Sequence, residues 1–220
     1  MSAAAFAPFE GESSPRVEAA AFVLTLRARG IADLRLLRAM ETVRREVFAP
    51  RRYSDLARQD IALPLACGQT MTGPSTVARM LAALGVVPGQ RVFEVGTGSG
   101  YVTGLLAALG GQVSSVERRP VLLDSARQRL RAAGFAEGCT LACGDGITGE
   151  GAEGRFDRIL LNGVVEEGAL PALASLLAPG GRLVAGIAGE DGARLLVVES
   201  GEGGDLTARR GEAIRLSRLS

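Results

Sequence analysis

Residues 91–101 read Arg91-Val92-Phe93-Glu94-Val95-Gly96-Thr97-Gly98-Ser99-Gly100-Tyr101. Val92, Phe93 and Val95 form a short apolar run, glycines follow at every second position, and an apolar helical pattern (Val102, Leu105, Leu106, Leu109) begins at once. Strand, glycine-rich turn and helix form the setting a nucleotide-binding loop needs: bare backbone bends sharply and approaches a ligand, and a helix start offers N–H groups to an anion. Spacing narrows the choice of ligand. A dinucleotide fingerprint, G-x-G-x-x-G, counted from Gly96 needs its third glycine where Tyr101 stands. The pattern here is Glu94-x-Gly96-x-Gly98-x-Gly100, with an acid ahead of the first glycine.

Further acids close the next strand-like runs. Glu117 ends residues 112–117, about twenty positions past the loop, where a carboxylate can accept from both ribose hydroxyls. Asp145 closes residues 139–143 within Cys143-Gly144-Asp145-Gly146. Successive strand ends are where open α/β sheets bind ligands. Together these features resemble the S-adenosylmethionine-dependent methyltransferases of the Rossmann-like class. The resemblance implies that Glu94 and the loop residues Gly96, Thr97, Gly98 and Gly100 hold the methionine part of the cofactor, Glu117 the ribose, and Asp145 with Gly146 the adenine. Tyr101 serves either helix packing or cofactor contact.

Working outward, the chain alternates. Helix 102–109 leads to strand 112–117, helix 120–133 (Pro120 at its start, Gly134 behind it), strand 139–143, a loop, and strand 156–161. A helix over 170–177 stops at Pro179-Gly180-Gly181, strands 182–187 and 194–199 follow, and an alternating segment, 206–219, ends the chain. Such alternation predicts an α/β fold with a doubly wound, mostly parallel Rossmann-like sheet whose closely spaced final strands run antiparallel. Upstream, residues 1–14 are small, unpatterned and read as a disordered tail. A helix from Pro15 to a stop at Gly30, and a second capped by Asp33, form an N-terminal helical extension. Residues 15–72 are thus an extension and substrate-side segment, and 73–220 the core of one domain. The turn Gly68–Pro74 opens a helix over 75–84, for which either Thr72 or Ser75 could be the cap.

Composition excludes little and directs much. The net charge of +1 points to neither nucleic acid nor membrane, and no apolar run is long enough to span a bilayer. A cytoplasmic protein is expected; nothing in the sequence sets its oligomeric state. The chain has no His and no Lys, which removes the usual general base near neutral pH. The cysteines, Cys67, Cys139 and Cys143, are odd in number and lack His partners, so no metal site is expected and all three read as reduced, buried and inert.

Outside the core the likeness sharpens. Arg27-Ala-Arg-Gly-Ile31, Ala39-Met40, Arg45-Glu-Val-Phe-Ala-Pro50, Asp60-Ile-Ala-Leu-Pro64 and Gly68-Gln69-Thr70, with the loop, Glu117 and Gly144-Asp145-Gly146, resemble the protein-L-isoaspartate O-methyltransferases over residues 27–187. That family methylates the carboxylate of isoaspartyl and D-aspartyl residues, which starts their repair through a succinimide; isoaspartyl proteins or peptides are the implied partners. The likeness implies Gln69 and Thr70 as cofactor contacts, Thr72 as the catalytic hydroxyl, and Gly73 and Asn162 as acceptor contacts. Two departures stand out. The family's serine is Thr72, and its small Thr-Ala-Ala-Pro-like stretch is Asn162-Gly-Val-Val-Glu-Glu167. Both lie where the family binds peptide, which leaves three alternatives open: a small-molecule or dedicated peptide acceptor, a catalytically silent cofactor-binding relative, and, disfavoured by Tyr101, an NAD-linked oxidoreductase. A carboxylate acceptor suits a chain without His or Lys, because an anion attacks a sulfonium without a general base.

Overall fold

The protein is seen in a computed structural model that describes residues 15–190 and 192–219. The expected tail, residues 1–14, lies outside the described residues. Three short helices come first: α1 (Pro15–Ala28), α2 (Leu34–Thr42) and α3 (Arg45–Phe48). Asp33 caps α2 as expected, accepting from the N–H groups of Arg35 at 2.8 Å and Leu36 at 3.1 Å. A 3-10 turn (Arg51–Leu56) and a small antiparallel pair, β1 (Leu63–Pro64) with β2 (Thr70–Met71), lead to α4 (Pro74–Leu84). Neither Thr72 nor Ser75 caps α4. Gly73 occupies the cap position without a side chain, and Asp60, fifteen residues upstream, supplies the acceptor to the Ser75 N–H at 2.8 Å.

The core alternates as the sequence pattern predicts: β3 (Arg91–Val95), α5 (Tyr101–Ala108), β4 (Gln112–Glu117), α6 (Pro120–Ala133), β5 (Cys139–Cys143), β6 (Phe156–Val165), α7 (Leu170–Ala174), β7 (Leu177–Gly189), β8 (Gly192–Ser200) and β9 (Leu206–Ala213). Seven strands form one sheet in the order β5-β4-β3-β6-β7-β8-β9. β3 to β7 pair in parallel and β8 and β9 antiparallel. Period-two alternation assigns the faces. Val92, Val113 and Leu160 enter a core shared with α1–α6, whereas Phe93, Val95, Ile159 and Leu161 enter a second core against α7. Ile31, Leu36, Met40 and Phe48 of the extension are buried in the first of these cores.

Several sequence boundaries are corrected. Helix 170–177 is only α7, because Leu177 already pairs with Phe156. The Pro179-Gly180-Gly181 stop lies inside β7 as an irregularity of register rather than before it. β6 runs past Leu161 to Val165 through a second irregularity. The final segment is a strand only to Ala213; thereafter it leaves the edge and crosses back to β6, where the Val164 N–H donates to Ser217 O at 2.8 Å and the Leu219 N–H to Val164 O at 3.0 Å. Burial of the cysteines is also overturned: Cys67 and Cys143 are exposed and Cys139 is half-buried. Cys67 sits on an irregular turn and Cys143 at the end of an edge strand, whereas Cys139 at the start of that strand packs partly against the first core. Among the described residues no group of His, Cys, Asp and Glu could hold a metal, and no helix is long and apolar enough to cross a membrane.

Candidate functional site

A cleft opens over the C-terminal ends of β5, β4, β3 and β6. Its walls include Gln69, Thr70 and Thr72; Gly96, Thr97 and Gly98; Glu117 and Arg118; Asp145 and Gly146; and Asn162 with Ser217, Arg218 and Leu219. Most of the residues singled out in the sequence therefore meet in one place. The glycine turn is built by positive φ at Gly96 (92°), Gly98 (54°) and Gly100 (85°), conformations that cost other residues dearly.

Glu117 is held at the strand tip as a fixed acceptor. Gly98 N–H donates to its Oε2 at 2.8 Å and Arg119 N–H to its Oε1 at 3.0 Å. Each oxygen retains lone-pair capacity toward the cleft. Asp145 accepts from Ile147 N–H at 3.1 Å and pairs with Arg118 at 2.7 Å. Apolar side chains of Val95, Val116, Leu122 and Ile147 line the wall between these acids.

Three of the expected contacts lie elsewhere. Glu94 is fully buried and does not line the cleft. It shares its strand face with Val92, so alternation turns it toward α5, where Thr103 Oγ1 donates to it at 2.6 Å. Burial pushes its carboxyl up to about 7, against hydrogen bonds from Thr103, Ser115 and Asn162. Gly100 caps α5 and lies against α6: a Cβ there would stand 3.2 Å from that of Ala126, so close helix packing is what requires a glycine. Gly73 faces Asp60 and Ile61 rather than the cleft.

Two parts of the site escaped the sequence reading. The first is Arg45, 2% exposed, whose guanidinium donates to Ala57 O at 2.6 Å, Ile61 O at 3.1 Å and Thr72 O at 3.0 Å. Burial pulls its pKa down to about 10, so it stays charged. It fastens the whole approach to Thr72; the sequence marked it only as the first residue of the family-like stretch Arg45–Pro50, with no role attached. The second is the C-terminal segment. Ser217 Oγ lies 2.7 Å from Thr70 Oγ1. Leu219 fills the space a side chain would need at Gly96 and Gly163, where a Cβ would come within 2.7 and 2.8 Å of it. Nothing local in residues 214–219 announces this return. Tyr101 is buried and packs against Phe48 at 5.8 Å between ring centroids, which is the packing reading; it also borders the cleft.

Thr72 lines the cleft, and among the described residues its hydroxyl makes no hydrogen bond; only its carbonyl is engaged, by Arg45. With no cap to serve, that hydroxyl is available to a ligand.

Sheet order, glycine turn and strand-tip acids define the class: a Rossmann-like methyltransferase domain with an N-terminal helical layer. A family model described as protein-L-isoaspartate(D-aspartate) O-methyltransferase matches residues 17–216, and the chain belongs to that family. It is similar to protein-L-isoaspartate O-methyltransferase 2 of Rhodopseudomonas palustris strain HaA2, at 43% identity over 84% of each chain. It is similar also to the protein-L-isoaspartate O-methyltransferase of Nitrobacter winogradskyi, at 42% identity over 84% of each. Among solved structures, a protein-L-isoaspartate O-methyltransferase superposes with TM-score 0.78 at 23% identity, over 92% of this chain and 66% of that one. A Plasmodium falciparum structure in complex with S-adenosyl-L-homocysteine gives TM-score 0.77 at 20% identity, over 91% and 97%. These two likenesses speak for the fold.

Proposed function

We propose that this chain is a cytoplasmic carboxyl O-methyltransferase that uses S-adenosyl-L-methionine to methylate isoaspartyl residues of damaged proteins or peptides. The observation that carries the acceptor side is the Thr72 hydroxyl, which opens unpartnered into the same cleft as the glycine turn and Glu117. The residues present fit an adenosyl ligand. Glu117 is preset to accept from ribose hydroxyls, Gly96 and Gly98 expose bare backbone, and Val116, Leu122 and Ile147 offer an apolar face to a base. When bound, S-adenosyl-L-methionine supplies an electrophilic methyl group on a sulfonium.

The chain's own work is positioning and exclusion of water. A carboxylate acceptor is already an anion at neutral pH, so no residue need take a proton from it, in keeping with a cleft that holds no His or Lys. Glu94 is not a base for the acceptor, because it is sealed beneath the glycine turn. Thr72 Oγ1 is placed to donate to the acceptor, with Arg45 holding its backbone from behind. Leu219 and Val102 close the apolar part of the wall, where a drier site favours mutual neutralisation of carboxylate and sulfonium.

Incubation with an isoaspartyl peptide and methyl-labelled cofactor tests the reading. The expected result is a base-labile methyl ester on that peptide and none on its normal aspartyl counterpart. Cofactor binding without ester formation would overturn the acceptor assignment, and absence of cofactor binding the whole of it.

A further inference from the structure

The ends of β5, β4 and β3, and β6 just past its last pairing with β3, carry Asp145, Glu117, Gly96 and Asn162 in the same order as the strands lie in the sheet. Neighbouring strands are spaced by about 4.8 Å. A ligand with its base at Asp145 and its ribose on Glu117 therefore directs its remaining end toward Gly96 and Asn162. In the cofactor reading above, on which this inference rests, that end is an amino acid: an ammonium and a carboxylate on one carbon.

The Asn162 amide can face only one way. Its Nδ2 donates to Glu94 Oε1 at 3.0 Å and to Gly96 O at 3.3 Å. A flipped amide would set oxygen against oxygen at both places, and Gly96 O never donates, whatever the charge on Glu94. Glu94 is itself anchored, its Oε2 accepting from Thr103 Oγ1 at 2.6 Å and Ser115 Oγ at 2.7 Å. Ser115 Oγ also lies 2.6 Å from Thr97 Oγ1, which ties the group to the glycine turn. With both donors turned inward, Oδ1 of Asn162 is left to the cleft, and among the described residues nothing donates to it. The end wall is thus a fixed acceptor with a buried carboxylate one hydrogen bond behind it.

Such a wall draws a cation that has N–H donors and repels a carboxylate. We propose that Asn162, oriented by Glu94, holds the ammonium of the cofactor's amino-acid end. Asn162 then belongs to the cofactor side, and the methyl acceptor's carboxylate is directed to the opposite wall at Thr72. Glu94 is a positioning residue in this scheme: it touches Asn162 and not the ligand.

Calorimetric binding to the intact chain tests this with three neutral-sulfur ligands: S-adenosyl-L-homocysteine, its deamino analogue, and methylthioadenosine, which lacks the whole amino-acid end. The wild-type protein is expected to lose roughly ten- to hundredfold in affinity when the ammonium alone is removed, the usual worth of a hydrogen bond to a charged group. Asn162→Leu should bind the first two ligands alike while holding methylthioadenosine as the wild type does. Glu94→Gln, which keeps the shape and removes the charge, should show a smaller preference for the ammonium than the wild type. A wild type indifferent to the ammonium overturns the proposal even if neither variant folds. So does a parallel loss of S-adenosyl-L-homocysteine and methylthioadenosine in Asn162→Leu, or a raised KM for the peptide acceptor with ligand preference unchanged. A wild type that binds none of the three overturns the cofactor reading itself.

Discussion

The two halves of the cleft are made by different means. On the β3–β5 side each functional group sits within two or three residues of the strand that carries it: Gly96 and Gly98 after β3, Glu117 at the end of β4, Asp145 just past β5. On the acceptor side, around Thr72, the wall is gathered from far along the chain. Thr72 is held by Arg45 across 27 positions, Thr70 meets Ser217 across 147, and Leu219 reaches Gly96 over most of the sheet. The first half is local geometry repeated along a parallel sheet; the second exists only when remote segments dock. Damage to a docking contact should therefore spread through the acceptor half and leave the cofactor half standing.

The hardest test of that contrast is Arg45→Met. It leaves the carbonyls of Ala57, Ile61 and Thr72 without a buried donor, and a loss of roughly 3 kcal/mol or more is expected at 1–3 kcal/mol for each orphaned group. Urea unfolding measures it. Cofactor affinity of the fraction that remains folded should be near that of the wild type while methyl transfer collapses; equal loss of both would erase the distinction between the halves.

Thr72→Val is the next sharpest. It removes one hydroxyl and no described hydrogen bond, so stability should hardly change, and transfer to an isoaspartyl peptide should fall by about a hundredfold through lost positioning. Cofactor dissociation constants should stay within error of the wild type. Steady-state kinetics beside calorimetry decide it, and an unimpaired variant would remove Thr72 from the catalytic role.

Glu94 sharpens the cofactor half through pH. Burial raises its carboxyl from 4.5 to about 7, so between those values the folded state holds a proton that the unfolded chain has lost. Stability contributed by that proton is present below pH 4.5, declines as pH rises toward 7, and is gone above it, a change on the order of 3 kcal/mol. Comparing urea midpoints of the wild type and Glu94→Gln at pH 5 and pH 8 isolates the term. The variant should gain on the wild type at the higher pH; a pH-independent difference would contradict the assignment.

The mildest expectation concerns thiols. Cys67 and Cys143 are exposed, whereas Cys139 is half-buried and burial pushes its pKa up to about 11. An alkylating reagent at pH 8 should modify the first two well before Cys139, which peptide mass mapping reads directly, with little effect on folding. Fast labelling of Cys139 would show that β5 is less well covered than the fold implies.

Most of the fold could be read from residues 91–199, because period-two runs, Pro and Gly stops and the glycine turn all act over a few neighbours. Where that reading slipped, a longer-range contact won. Leu177 was expected to end a helix and instead begins β7, because pairing with Phe156 takes it into the sheet. Ser75 was offered as a cap, yet Asp60 supplies the acceptor from outside the helix. Glu94 is instructive in the opposite direction. Its separation from the cleft follows from sharing a strand face with Val92, which alternation alone would reveal.

By itself the sequence determined an open α/β sheet with a bare-backbone turn and carboxylates at successive strand ends, because strand period, glycine φ and helix starts are properties of short segments. Only the tertiary structure decided that Arg45 carries the approach to Thr72, that the segment after β9 returns to line the cleft, and that the Asn162 amide turns its oxygen outward. Those outcomes depend on buried donors and acceptors finding partners, and the partners lie too far apart in the chain for spacing to announce them.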